Sequence, residues 1–238
     1  MNTPRGSTAV MARRREPPDS LDFFPTPGWG TRAVIEKLKA LRMIVPGQDV
    51  SDPCCGRGHM ARPLAETFDQ VHATDVFDYG DNEVEDFLDR NAGKKAAWTF
   101  LNPPFKAGPQ FVLKALEKAR HGVAVLVRTA FLEGGERFEQ IYRDTPPTGF
   151  FQFSERVIMA KGICRNPDLP YWDAKADPPR WKMPSTATSY CWLVWHRGSE
   201  RMPPDWIEPG TRLRLQKLED YDPHEQPPTP PMEEIWTS

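Results

Sequence analysis

Long apolar runs are missing from this 238-residue chain: no stretch of 18 or more apolar residues occurs, which excludes a membrane-crossing helix. The N-terminus lacks the apolar segment of a secretory signal, so the cytosol is the expected compartment. Cysteine is scarce. Cys54 and Cys55 are adjacent, Cys164 and Cys191 stand alone, and no Cys-x-x-Cys or Cys/His ligand spacing occurs. Neither a disulfide scaffold nor a structural zinc is expected, and no metal site of any other kind. An excess of positive charge is absent as well. The net charge of −2 excludes a chain that grips nucleic acid by bulk charge, but not one with a local basic patch. What the chain has in quantity is proline, 26 residues whose positions mark where regular structure stops.

Residues 1–20 carry Arg13, Arg14 and Arg15 beside Pro17 and Pro18, and read as a flexible basic arm or as a solvated tail without function. Residues 201–238 form a Pro-rich, acidic tail in which prolines at 203, 204, 209, 223, 227, 228, 230 and 231 are expected to prevent regular elements. A core domain over residues 21–200 remains, with the last folded residue expected near 215.

Strands and helices alternate through that core. Thr31 to Leu41 places Val34, Ile35, Leu38 and Leu41 on one helical face, with Thr31 as its cap. A thin strand is expected from Gln48 to Asp52, a helix from Arg57 to Phe68, and strands from Val71 to Asp75 and Ala96 to Leu101. Pro109 to Arg120 reads as a helix with Phe111, Val112, Ala115, Leu116 and Ala119 inward. Val123 to Val127 is a continuous apolar run of the kind found in buried parallel strands. Phe150 to Phe153 and Tyr190 to Trp195 supply late strands. Such alternation predicts a doubly wound α/β sheet, whose ligands bind beyond the strands' carboxyl ends.

Three constellations carry chemistry. In Asp52-Pro53-Cys54-Cys55-Gly56-Arg57-Gly58 an acid ends a strand and a Gly-x-Gly turn follows. Glycines there allow close backbone approach to a ligand, although a plain tight turn would read the same way. A strict Gly-x-Gly-x-x-Gly fails at Ala61, while the relaxed form is met. Asp52 would repel a phosphate and suits a ligand bearing an ammonium, such as S-adenosylmethionine. Asp75, seventeen residues after Gly58, ends the second strand, where a carboxylate can accept from ribose hydroxyls or simply cap a turn. The acidic stretch Asp75 to Asp89 reads mostly as a solvated face. The sharpest signal is Asn102-Pro103-Pro104-Phe105, directly after Trp98-Thr99-Phe100-Leu101. Two prolines fix φ and remove two donors, so this turn holds the Asn102 amide and nearby carbonyls rigidly as acceptors for an amine. Phe105 offers a ring on which a base can stack.

These residues resemble the amino-methyltransferases of DNA, specifically the N6-adenine kind, over about residues 21–196; the part from Arg128 to Trp195 resembles small phage-type solitary enzymes. The resemblance implies a Rossmann-like class I methyltransferase fold: α/β, with a doubly wound mixed sheet and helices on both faces. It also implies S-adenosyl-L-methionine as cofactor and DNA, duplex or single-stranded, as partner, with restriction-modification as one setting. By the same resemblance Asp52-Pro53-Cys54-Cys55-Gly56-Arg57-Gly58 is the cofactor loop, with Asp52, Pro53, Cys54, Gly56 and Gly58 as its contacts. Asp22-Phe23-Phe24-Pro25-Thr26-Pro27 is similar to the N-terminal cofactor motif, which gives Phe24, Pro25 and Thr26. Asp86 would bond the cofactor's adenine amine and Phe87 lie beside its ring, with Asp75 on the ribose. Asn102, Pro103, Pro104 and Phe105 would be catalytic. One residue, Lys106, separates that turn from Ala107-Gly108-Pro109, and no separate target-recognition domain is recognisable.

The implied reaction is in-line methyl transfer to N6 of a flipped adenine, needing no metal. Flipping costs about a few kcal/mol and stacking on Phe105 returns about 1–3 kcal/mol. Residues 156–186 read as a long ordered loop in which Lys161, Arg165, Arg180 and Lys182, interleaved with Tyr171, Trp172 and Trp181, suit DNA contacts. A loop packed by its own aromatics is the alternative. His59 reads as a residue that shapes the cofactor loop, and Cys54 and Cys55 as small loop residues. The same turn chemistry leaves RNA adenine as a rival acceptor, and a catalytically inactive cofactor- or DNA-binding module as a rival class.

Overall fold

The computed structural model describes residues 22–80 and 82–223. The basic arm 1–20 and the tail from His224 onward lie outside the described residues. Helix α1 spans Gly28–Ala40 and opens behind Pro27, three residues earlier than its apolar period implies. Thr31 is therefore no cap; it is fully buried inside the helix. The cause is Trp29, 1% exposed and edge-on to Phe153 at 5.3 Å. Burying an indole outweighs about 1 kcal/mol of lost helix propensity at each of Gly28 and Gly30.

Strand β1 (Asp49–Asp52) follows, then the glycine loop and a short helix α2, Ala61–Ala65. This helix is shorter than the expected 57–68 because Gly58, at φ +76°, turns the chain out of helical geometry. Next come β2 (Gln70–Asp75), β3 (Glu83–Val84), β4 (Trp98–Leu101), helix α3 (Gly108–Lys118) and β5 (Gly122–Arg128). Beyond β5 a helical stretch ends in a π-turn, Phe138–Tyr142, before β6 (Gly149–Phe153). Within 156–186 the chain forms a two-stranded antiparallel ribbon, β7 (Tyr171–Asp173) and β8 (Arg180–Lys182). Strand β9 (Tyr190–His196), β10 (Asp205–Ile207) and helix α4 (Thr211–Leu215) complete the order.

The main sheet has eight strands in the order β10-β6-β9-β5-β4-β1-β2-β3. From β3 to β5 all pairs are parallel, while β9 runs antiparallel between β5 and β6. Side chains alternate between two cores, as period-two geometry requires. Trp98, Phe100, Ala124, Leu126, Trp192 and Val194 face α1 and α2, whereas Leu101, Val123, Val125, Val127, Leu193 and Trp195 face α3. This is the doubly wound mixed sheet expected, with helices on both faces. The parallel strands share one carboxyl end, which places Asp52, Asp75, Asn102 and Arg128 at the same rim.

Regular structure does not stop at Pro203. Strand β10 pairs in parallel with β6, and α4 packs on α1. Asp220, 4% exposed, receives two hydrogen bonds from Arg32 at 2.6 and 2.8 Å, and Arg32 also bonds Glu66 at 2.7 and 2.9 Å. The prolines punctuate these elements without preventing them.

Candidate active site

A cavity of 380 Å³ opens at the carboxyl rim of the parallel strands, within the size range of small-molecule sites. Four separate segments supply most of its walls: the approach to α1 and the loops after β1, β2 and β4. Of the residues singled out by sequence, it brings together Phe24, Pro25, Thr26, Asp52, Pro53, Cys54, Asp75, Asp86, Phe87, Asn102 and Pro104. Gly56, Gly58, Pro103 and Phe105 stand outside its lining.

The two glycines act through the backbone. Gly56 sits at φ +52°, and a Cβ there would lie 2.3 Å from the Phe23 ring. Its amide donates to Asp75 Oδ2 at 2.9 Å, while Phe77 N–H donates to Oδ1 at 3.1 Å. The glycine loop is thus held against the end of β2 by the carboxylate expected to meet a ribose. Cys55 N–H donates to the Thr74 carbonyl at 3.0 Å, which extends the same seam.

Asp52 is 1% exposed, and neither carboxylate oxygen has a well-formed hydrogen bond. Burial, with the Asp75 charge added and only the Cys54 amide opposing, pushes its pKa up to about 8. Burial raises the pKa of Asp75 too, against the pull of the Gly56, Phe77 and Val76 amides. Burial first, then the two carboxylates, hold the Cys54 and Cys55 thiols far above the usual range. They remain protonated and are not nucleophiles. Four carboxylates line the cavity: Asp22, Asp52, Asp75 and Asp86. A buried carboxylate without a partner is costly unless a cation arrives to pair with it. Phosphate groups have no place beside this set; an ammonium does.

Asn102 ties its turn to the other walls. Its Nδ2 donates to the Phe24 carbonyl at 2.8 Å, and its own carbonyl accepts from Cys54 Sγ at 3.4 Å. No hydrogen bond among the described residues occupies Oδ1. On its far side the turn borders a second hollow of 150 Å³, lined by Asn102, Pro103, Pro104 and Phe105 together with Arg128, Phe131 and Arg137. Asn102 and Pro104 line both spaces. Phe105 faces the smaller one, and the Arg128 guanidinium lies 3.6 Å from its ring centroid. The ring expected to lie open for a base is therefore covered on that face.

Sequence reasoning missed several wall residues. Tyr79 lies 5.1 Å from Phe23, and burial, reinforced by Asp75, pushes its hydroxyl up to about 12. It belongs to the acidic stretch read as a solvated face, yet Asp75, Val76, Tyr79 and Asp86 of that stretch line the cavity. His59 also lines it, with Nε2 3.1 Å from Asp222 Oδ1 and Nδ1 buried without a partner. Asp222 sits in the supposed tail, 163 positions away, so no local pattern could have revealed the pair.

The basic loop lies close by. Gly162 N–H donates to the Phe23 carbonyl at 2.8 Å, which pins the loop to the cavity wall. Lys161, Arg180 and Lys182 are exposed, and the Arg165 guanidinium lies 3.9 Å from the Tyr171 ring centroid. Trp172 and Trp181 pair across the ribbon at 5.7 Å, leaving Trp181 44% exposed. Among the described residues no group of His, Cys, Asp and Glu is placed to hold a metal ion, and no helix is long and apolar enough to cross a membrane.

No protein-family profile matches the chain, and no curated protein sequence does. Solved structures do. A candidate class I S-adenosylmethionine-dependent methyltransferase from Listeria monocytogenes is 12% identical with a TM-score of 0.50, over 76% of this chain and 62% of that one. The modification subunit of a candidate type I restriction enzyme from Vibrio vulnificus YJ016 is 14% identical with a TM-score of 0.50, over 75% of this chain and 45% of that one. The chain spans less than two thirds of either protein. The likeness establishes the class I methyltransferase fold.

Proposed function

We propose that this chain is an S-adenosylmethionine-dependent methyltransferase acting on N6 of adenine in DNA. The observation that carries the reading is the position of Asn102, between an acidic cavity and an aromatic slot, with no hydrogen bond from the described residues on Oδ1. The cofactor fits the donor set: the orphaned Asp52 carboxylate would take its ammonium, Asp75 its ribose hydroxyls, and Asp86 and Phe87 its adenine. When bound, it supplies a methyl group already activated by a sulfonium, so the protein has only to place the acceptor. Asn102 Oδ1 and the Pro103 carbonyl would accept hydrogen bonds from the acceptor's N–H groups. That draws the nitrogen lone pair out of conjugation and aims it along the transfer line. The double proline keeps both acceptors fixed, and Phe24 holds the carboxamide by its other end.

Such geometry cannot be reached inside a duplex stack, so the base must be extruded. Lys161, Arg165, Arg180 and Lys182, on the ribbon and its flanks, would hold phosphates. An exposed indole on a stiff hairpin is suited to entering the space a flipped base vacates. Residues 21–200 together with the C-terminal elements to Asp222 would form the catalytic unit. The test is transfer of labelled methyl from S-adenosylmethionine to matched DNA and RNA oligonucleotides in parallel. Label on DNA adenine is the expected result. Label on RNA alone would reassign the acceptor. Calorimetric binding of the cofactor without label on either would make the chain a binding module.

A further inference from the structure

Arg128 closes β5 at the same rim as Asn102, and its position on Phe105 has a chemical consequence. The guanidinium carbon lies 3.6 Å from the Phe105 centroid and 5.9 Å from that of Phe24, whose ring sits beside Phe105 at 5.1 Å. A separation of about 3.5–4.0 Å is already van der Waals contact between planes, so no base fits between cation and ring. The smaller hollow holds a second guanidinium, Arg137, but that one is engaged: it donates to the carbonyls of Phe131 at 2.8 Å and of Glu133. Arg128 is held more lightly: its Nε is buried without a hydrogen-bond partner, and its polar neighbour among the described residues is the Tyr190 hydroxyl. The Phe105 ring supplies its closest contact.

From this geometry we infer that Arg128 occupies the acceptor's stacking place on Phe105 and yields it to acceptors that bring a phosphate. The inference rests on the proposed function and deepens it by naming the residue that discriminates nucleic acid from free nucleoside. A planar cation and a planar base compete for one face. A nucleoside that displaces the guanidinium forfeits the cation–π contact and gives the freed cation nothing. An oligonucleotide forfeits the same contact but supplies a phosphate, whose oxygens match the planar fork of the guanidinium in two parallel hydrogen bonds. Arg128 thus penalises neutral acceptors and favours polyanionic ones, because the charged hydrogen bonds to phosphate outweigh the cation–π contact given up. No bond is made or broken by Arg128; it is a positioning residue.

The experiment compares wild type, Arg128→Ala and Arg128→Lys in steady-state methyl transfer to an adenine-containing oligonucleotide and to deoxyadenosine, over a range of salt. For Arg128→Ala, KM for the oligonucleotide should rise about tenfold while KM for the nucleoside falls about fivefold. The slope of log kcat/KM against log salt should become shallower by about 0.7, the value for one phosphate on a single strand. Lysine should keep the salt slope, since it remains a cation, yet relieve the nucleoside penalty, since it lacks the planar stack. This second variant also guards against misfolding of the alanine form. A ratio of oligonucleotide to nucleoside efficiency that is the same in all three proteins would overturn the inference while leaving the methyltransferase reading intact. A wild type that methylates no nucleic acid would overturn both.

Discussion

Replacing Asp52 with Asn should make the unliganded protein less sensitive to pH. The wild-type carboxyl is fully buried, has no well-formed hydrogen bond and titrates near 8, against 3.8 for an unperturbed Asp. Between those values the native state keeps a proton that the unfolded chain releases. The contribution is fully present below pH 3.8 and is lost as pH rises through about 8. One proton corresponds to about 1.4 kcal/mol per pH unit, so moving from pH 5.5 to 7.5 removes roughly 2–3 kcal/mol from the wild type. For a chain of this size that is about 5–10 °C in Tm. Asparagine does not titrate there, and its own unpaired amide costs the same at every pH. The gap between the two melting curves should therefore shift in favour of the variant by that amount over the interval. Titrating groups not coupled to Asp52 cancel in the comparison. A gap that stays constant from pH 5.5 to 7.5 would refute the picture of a buried, partnerless carboxyl. The same variant should bind S-adenosylmethionine about 10–100-fold more weakly by calorimetry, since a charged hydrogen bond is worth about 1.5–3 kcal/mol.

Gly56→Ala should cost about 1–3 kcal/mol in chemical denaturation, because the added Cβ enters the Phe23 ring and the backbone sits at φ +52°. A neutral result would mean that Phe23 moves aside freely. Asp220→Ala should cost about 3 kcal/mol, since it strips a buried guanidinium of two hydrogen bonds and detaches the C-terminal segment from α1. A loss below about 1 kcal/mol would show that Glu66 alone satisfies Arg32. Replacing Arg180 and Lys182 together by alanine should reduce the salt slope of DNA binding by about 1.4 for a single strand, and an unchanged slope would place the phosphate contacts elsewhere.

The parts of this protein readable from its sequence are those whose cause is local. Val123 to Val127 reads as a buried strand because all five residues are apolar, and the structure extends it by one residue at each end. The rim residues Asp52, Asp75 and Asn102 were placed because each follows a strand and precedes a break in the chain. What escaped depends on distant partners. The start of α1 is set by Trp29 meeting Phe153, and the fold beyond Pro203 by Asp220 meeting Arg32, 188 positions apart. Tyr79 sits in an acidic, turn-rich stretch whose composition points to solvent, and it packs inward on Phe23. The cover on Phe105 likewise comes from the end of another strand. Local pattern located the rim of the cavity, and long-range contacts decided its walls.

The central claim is that Asn102 serves two spaces at once, gripping the cofactor wall through Nδ2 and the acceptor amine through Oδ1. Its most direct test is Asn102→Ala, with cofactor affinity by calorimetry and labelled-methyl transfer to DNA measured on the same preparation. Loss of the bond to the Phe24 carbonyl should weaken cofactor binding by about 1 kcal/mol, roughly fivefold, while transfer falls by about 10²–10³ or more. Transfer at the wild-type rate, or cofactor binding that collapses together with it, would contradict the account.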